Sequence, residues 1–192
     1  QLLVGAENQK PMKKILLHAC CGPCSTHCVE VLRAQDYEPT LFFSNSNIMP
    51  LDEYKRRLDA LRLFARAAAV ALVEDEYDNA SWLEAIRGHE NAPEGGSRCV
   101  ACFRHNLGRA ARYAQATDFE EFTTTLTVSP HKRSETVFEA GDFAASQTVA
   151  ALNNVGTTPQ FMRFNFKKNN GFLDSIKLSE KYGLYRQSSC GC

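Results

Sequence analysis

The stretch Lys14 to Ala19 (KILLHA) breaks off into Cys20-Cys21-Gly22-Pro23-Cys24, and this junction constrains the fold more than any other part of the chain. A short apolar run ended by a turn suits a buried strand, and Gly-Pro is a strong stop signal. A helix is predicted next, from Ser25 to Ala34, and the alternation then repeats. Thr40 to Ser44 (TLFFS) reads as a second strand, followed by the polar loop Asn45-Ser46-Asn47. Pro50 and Asp52 open an amphipathic helix to about Ala69, with a strand at Val70 to Val73. Asn79 to Arg87 is helical and Gly88 to Gly96 is a loop leading into a helix that carries Cys99 and Cys102 and ends near Ala116. Glu121 to Thr127 is β-branched and strand-like, Ser134 to Leu152 helical, Phe161 to Phe166 strand-like, and Gly171 to Tyr182 helical. Strands alternating with helices predict an α/β fold with a largely parallel sheet flanked by helices. In such sheets functional groups collect beyond the carboxyl ends of the strands, where Cys20 and Cys21 fall.

A chain of 192 residues fits one core, and 44% hydrophobic against 23% charged residues is an ordinary globular balance. One domain is expected over residues 12–192, with residues 1–11 a lead-in that lacks the pattern of a signal peptide. No apolar run approaches the roughly 20 residues that span a bilayer, so no membrane partner is expected. The net charge is zero, which advertises no global field for nucleic acid but leaves local patches open.

Eight cysteines stand out, and they are grouped: four between Cys20 and Cys28, then Cys99 with Cys102, then Cys190 with Cys192. Nothing suggests export, so a cytoplasmic location is expected and a disulfide framework disfavoured. Such grouping reads as metal binding or redox catalysis. Cys99 and Cys102 are spaced to face one side of a helix start, whose amides favour thiolate. Cys20 and Cys21 sit in a strand-to-helix turn where Gly22 and Pro23 suit a bend. Together the two pairs can supply the four thiolates of a four-iron cluster. A four-thiolate zinc site and metal-free thiol chemistry stay open on spacing alone. Cys24 fits either a second metal or a free thiol, and Cys28 a small buried side chain. His18, inside an apolar strand, reads as a satisfied core histidine rather than a ligand. Cys190-Gly191-Cys192 can close only a tight, strained ring, and strained disulfides are often redox-active; two idle thiols on a flexible end are the alternative.

With HACCGPCS, the C-x-x-C at Cys99 to Cys102, FTTTLTVSPHK at Phe122 to Lys132, and the ending FNFKKNNGFLDSIKLSEKYGLYRQSSCGC, the chain resembles the epoxyqueuosine reductases of the QueH type from Lys14 to Cys192. The resemblance implies a single Rossmann-like domain of the HUP kind. It implies the last step of queuosine biosynthesis, a cobalamin-independent reduction of epoxyqueuosine to queuosine at the tRNA wobble position. By position it makes Cys20, Cys21, Cys99 and Cys102 the ligands of a 4Fe-4S cluster and Cys190 with Cys192 the redox-active pair. It further implies an adjacent additional iron, with Cys24 as its ligand. The partners implied are a tRNA with a GUN anticodon (Asp, Asn, His, Tyr) and an electron donor such as a ferredoxin or flavodoxin. The loop FFSNSNIMP and Ser189 depart from the family's pattern, and neither departure touches a thiol.

Turning an epoxide into an alkene takes two electrons and two protons and releases the oxygen as water. A neighbouring iron would act as a Lewis acid on that oxygen. Since an anticodon loop is single-stranded, its wobble base can be splayed out and stacked. Arg98, Arg104, Arg109, Arg112, Lys132 and Arg133 are the candidates for phosphate contacts, and Asn45 and Asn47 for base or sugar. An ATP-dependent tRNA-modifying enzyme would need a glycine-rich phosphate loop after the first strand, where Cys-Cys-Gly-Pro-Cys stands instead. A zinc-stabilised tRNA-binding module or an iron–sulfur electron carrier are the non-enzymatic alternatives.

Overall fold

The computed structural model describes residues 12–150 and 158–192. Its central strand, β1 (Lys13–His18), shows why a buried run without polar alternation was needed. Ile15 and Leu17 turn to one face, where they meet Cys28, Val29 and Leu32 of α1 (Gly22–Arg33) and Leu58, Leu61 and Phe64 of α2 (Leu51–Ala67). Leu16 turns to the other face with Phe42 of β2 (Tyr37–Phe43). The remaining strands are β3 (Ala71–Glu74), β4 (Glu121–Thr124) and β5 (Gln160–Phe161), and the remaining helices α3 (Asn79–Ala85), α4 (Ser97–Ala116), α5 (Ser134–Ala150) and α6 (Gly171–Lys181). On Leu16's face, Phe103, Leu107 and Ala110 of α4 pack with Val137 and Ala140 of α5.

All strand pairs are parallel and the order is β3-β2-β1-β4-β5. This is the predicted α/β, Rossmann-like arrangement. The chain builds outward from β1 to β3, then crosses back to lay β4 on β1's other side, so the carboxyl ends of β1 and β4 frame a switch-point crevice. No helix among the described residues is long and apolar enough to cross a membrane.

Several local expectations change. Helix α1 begins at Gly22, not Ser25, with Pro23 in the first turn where its missing N–H costs nothing. Gly22 is required by close packing rather than by a bend: an added Cβ would lie 2.9 Å from the backbone carbonyl carbon of Ala60 on α2. The threonine strand stops at Thr124, whose side chain accepts from the Leu126 amide and starts a 3-10 turn, Thr125–Val128. That turn takes the ladder away from the segment beyond Phe161, so only Gln160–Phe161 is strand. Threonine hydroxyls take over instead, with Thr123 donating to the Met162 carbonyl and Thr127 to that of Phe164, both at 2.8 Å. The helix predicted to Leu152 is seen to Ala150; its last two residues, like the lead-in 1–11, lie outside the described residues.

Candidate active site

β1 ends at His18, and the chain delivers Cys20 and Cys21 into the crevice between β1 and β4. His18 is a satisfied core histidine: fully buried, with Nδ1 2.9 Å from the Thr124 hydroxyl and Nε2 3.0 Å from the Ser44 carbonyl. Burial pulls it below its ordinary pKa. Cys20 is held by Thr125, whose hydroxyl accepts from the Cys20 amide (3.1 Å) and donates to its sulfur (3.2 Å). One turn into α1, Cys24 completes a group in which the Cys20, Cys21 and Cys24 sulfurs all lie within 4.8 Å of one another. Such a group can hold a metal ion.

The three thiols compete for one another's protons. Hydrogen bonds from Cys21 and then Cys24, with Thr125 and Lys132 adding to them, hold Cys20 well below the ordinary thiol range. The same contacts push Cys24 up, and Cys21 up to about 12, each chiefly through its bond to Cys20. Cys20 is thus the thiolate of the three. Cys28, on the buried face of α1, is pushed up by desolvation and stays a thiol.

A cavity of about 430 Å³ opens over this group. Cys20 and Cys24 line it together with Cys102, Cys190, Lys132, Asn45 and Asn47, which come from five separate stretches of chain. Cys21 and Cys99 are buried behind that lining. The Cys21 sulfur accepts from Gln187 Nε2 at 3.1 Å, and the Cys99 sulfur from the Gly95 amide at 3.2 Å. Cys102 sits against Trp82 and Ile86, and desolvation raises it to about 12. Also in the lining, Cys190 receives a hydrogen bond from Cys192 that, helped by Lys132, lowers it to about 6 and pushes Cys192 up. No disulfide joins any of the eight cysteines. Burial alone would lower the Lys132 ammonium, but the neighbouring Cys190 and Cys20 thiolates outweigh this and raise it.

The basic residues divide. Only Lys132 of the predicted phosphate contacts lines the cavity, while Arg104, Arg112 and Arg133 are exposed outside it. Arg104 lies over the Phe143 ring, 4.4 Å from its centre. Arg98 donates to the Glu90 carbonyl at 3.0 Å. Arg109 is engaged internally, with Nε 2.5 Å from Asp75. Burial alone would raise the Asp75 carboxyl, but Arg109 and Ser44 outweigh it and hold the group below its ordinary pKa. Asn45 donates to the Ala19 carbonyl at 2.8 Å, which fixes the loop after β2 against the loop after β1.

Three cavity residues fall outside the expectations from sequence. Asn106 follows Cys102 by one turn of α4, donates to Asn47 Oδ1 at 2.8 Å, and keeps a buried Oδ1 without a partner. Gln187 Oε1 is likewise buried and unpartnered. Arg57, the last of three consecutive basic residues after Lys55 and Arg56, is buried beside Cys190. The i,i+4 spacing of Asn106 from Cys102 was the available signal for the first; nothing local marked the other two.

Fold and thiols define a class: a Rossmann-like α/β protein with a cysteine cluster able to hold metal at the switch point of its sheet. The family model for epoxyqueuosine reductase QueH matches residues 15–192, and the chain belongs to that family. The epoxyqueuosine reductase QueH of Streptococcus pyogenes serotype M1 is 38% identical over 97% of this chain and 71% of its own length. That of Acinetobacter baylyi is 34% identical over 93% of this chain and 78% of its own, and that of Thermotoga maritima 30% over 94% and 89%.

Proposed function

We propose that this chain, acting as one domain over residues 12–192 in the cytoplasm, reduces epoxyqueuosine in tRNA to queuosine. The observation that carries the reading is the convergence on one cavity of thiols from the β1 turn, from the start of α4 and from Cys190. Each turnover consumes two electrons and two protons, opens both carbon–oxygen bonds of the epoxide, forms a carbon–carbon double bond and releases water. Cys20, Cys21, Cys99 and Cys102 would hold a 4Fe-4S cluster: thiolates are the donors such a cluster takes, Cys20 and Cys21 lie in the close sulfur group, and Cys102 lines the cavity above it. When bound, that group supplies electrons singly from a donor such as a ferredoxin or flavodoxin. Cys24, beside Cys20 and Cys21, is the candidate ligand for an additional iron.

The chain's own groups serve the substrate. Asn106 Oδ1 and Gln187 Oε1 are buried acceptors for hydroxyl or amino donors of the modified base. Lys132 presents a proton and a positive charge at the cavity wall, where oxygen leaves the substrate. Closing the Cys190–Cys192 dithiol to the disulfide releases two electrons and two protons, the amount one turnover consumes, and the external donor then reduces the disulfide again. The GUN-anticodon tRNA would meet Arg98, Arg104, Arg112 and Arg133 with its phosphates; Arg109 is poorly placed for this, since Asp75 already neutralises it.

The test is anaerobic: the purified chain, a reductant and epoxyqueuosine-containing tRNA, followed by mass spectrometry of the nucleosides. The expected result is loss of one oxygen mass, with roughly four or more irons per chain and a brown chromophore that Cys99→Ser abolishes. One observation favours a second reading. The Cys20 and Cys21 sulfurs are 3.8 Å apart, the edge expected of a tetrahedral ion at about 2.3 Å from each sulfur. A colourless zinc-loaded protein that binds tRNA without changing the nucleoside would establish that zinc module and sink the reductase.

A further inference from the structure

We propose that Arg57 is the positioning residue of the Cys190–Cys192 pair, its guanidinium fork fixing the backbone of this segment so that the two sulfurs are held ready for ring closure at the cavity. The inference rests on reading those cysteines as the redox pair. Arg57 belongs to α2, 133 residues before Cys190. Its side chain is only 3% exposed and every nitrogen is engaged. Nη1 donates to the Cys190 carbonyl at 2.9 Å, Nη2 to the Ser189 carbonyl at 3.1 Å, and Nε to Glu53 Oε1 at 2.7 Å. The other Glu53 oxygen accepts the Tyr185 hydroxyl at 2.8 Å, which ties the carboxylate to the approach to the same segment. The next carbonyl, Gly191, accepts from the Met49 amide at 2.8 Å.

Three successive carbonyls, 189 to 191, are therefore each held by a donor from outside the segment. Gly191 has φ 99°, and a Cβ there would lie 3.0 Å from Arg57 Nη2. Glycine thus lets the guanidinium lie flat against the backbone between the two cysteines. A buried guanidinium is costly unless compensated, and here one carboxylate and two carbonyls compensate it. The arrangement removes backbone freedom that ring closure would otherwise have to remove. A lysine would keep the charge but could not reach two carbonyls with a planar fork.

Closing the ring takes two electrons and two protons from the cysteine thiols. Glutathione disulfide accepts both in the test, giving two glutathione thiols. The full-length protein is equilibrated anaerobically in glutathione buffers, quenched with acid and alkylated, and the peptide holding both cysteines is weighed. Arg57→Lys, Arg57→Gln and Gly191→Ala should each lower the ring-closure constant by about tenfold, about 30 mV for this two-electron couple. Helical circular dichroism and iron content should stay at wild-type levels, and the exposed Lys55→Gln control should leave the constant unchanged. If Arg57→Gln fails to fold, Arg57→Lys decides the matter, because it keeps the charge and loses only the planar fork. Folded Arg57→Lys and Gly191→Ala proteins with wild-type constants would overturn the clamp while leaving the redox pair standing. A wild-type peptide that never loses two hydrogens in any buffer would overturn both.

Discussion

Cys20 and Cys190 line the same cavity, and each is made the acidic member of its group by a neighbouring thiol that keeps its own proton. For Cys190 the direction is testable without substrate. In the reduced, metal-free protein its alkylation rate should be half-maximal at about pH 6, far below an ordinary thiol. Cys192→Ala removes the leading hydrogen bond to the thiolate, so the midpoint should move up toward about pH 8; iodoacetamide rates against pH, read by peptide mass, check it. An unchanged midpoint would mean that Lys132 alone sets it. At this scale the grouped cysteines were legible in the sequence because thiols are rare and their spacing carries chemistry. Arg57 was not: Lys55-Arg56-Arg57 looks like one charged patch, and only the fold shows that the third side chain turns inward while its neighbours stay exposed.

Among the elements, the meeting of α1 with α2 decides where Cys20, Cys21 and Cys24 stand. Gly22 lets the first turn of α1 rest on the Ala60 backbone, and backbone cannot swing aside as a side chain can. Gly22→Ala should therefore cost about 1–3 kcal/mol by overpacking, seen as a lowered urea midpoint with unchanged m-value. The strand and helix pattern was readable to within a few residues through β1, β2, α2 and α4, where hydrophobic period and turn residues agree. It failed where side chains replaced the ladder. The run from Glu121 to Thr127 favours strand by its β-branching, yet Thr124 caps a 3-10 turn and the aromatic alternation after Phe161 loses its partner strand.

For the molecule as a whole, the parallel sheet gives two packed helical layers and leaves the crevice between β1 and β4 as the place where charge gathers. Without metal the fold holds the Cys20, Cys21 and Cys24 sulfurs close together with no ion to bridge them. Metal bound only to the folded state should therefore raise stability by about 3 kcal/mol at a hundredfold excess over Kd. Anaerobic reconstitution should lift Tm by at least about 5 °C for a domain this size; a metal-loaded protein with the same Tm as the metal-free one would contradict the proposed site. The threonine run through the crevice has a consequence for how this chain can vary. Thr123, Thr124, Thr125 and Thr127 each direct the hydroxyl to a different target: the Met162 carbonyl, His18, Cys20 and the Phe164 carbonyl. Valine copies threonine's shape and its preference for extended chain, so it is the substitution that drift would offer most cheaply. Here it would preserve the outline of the run and erase its wiring, which makes a stretch that looks generic one of the least forgiving to neutral change.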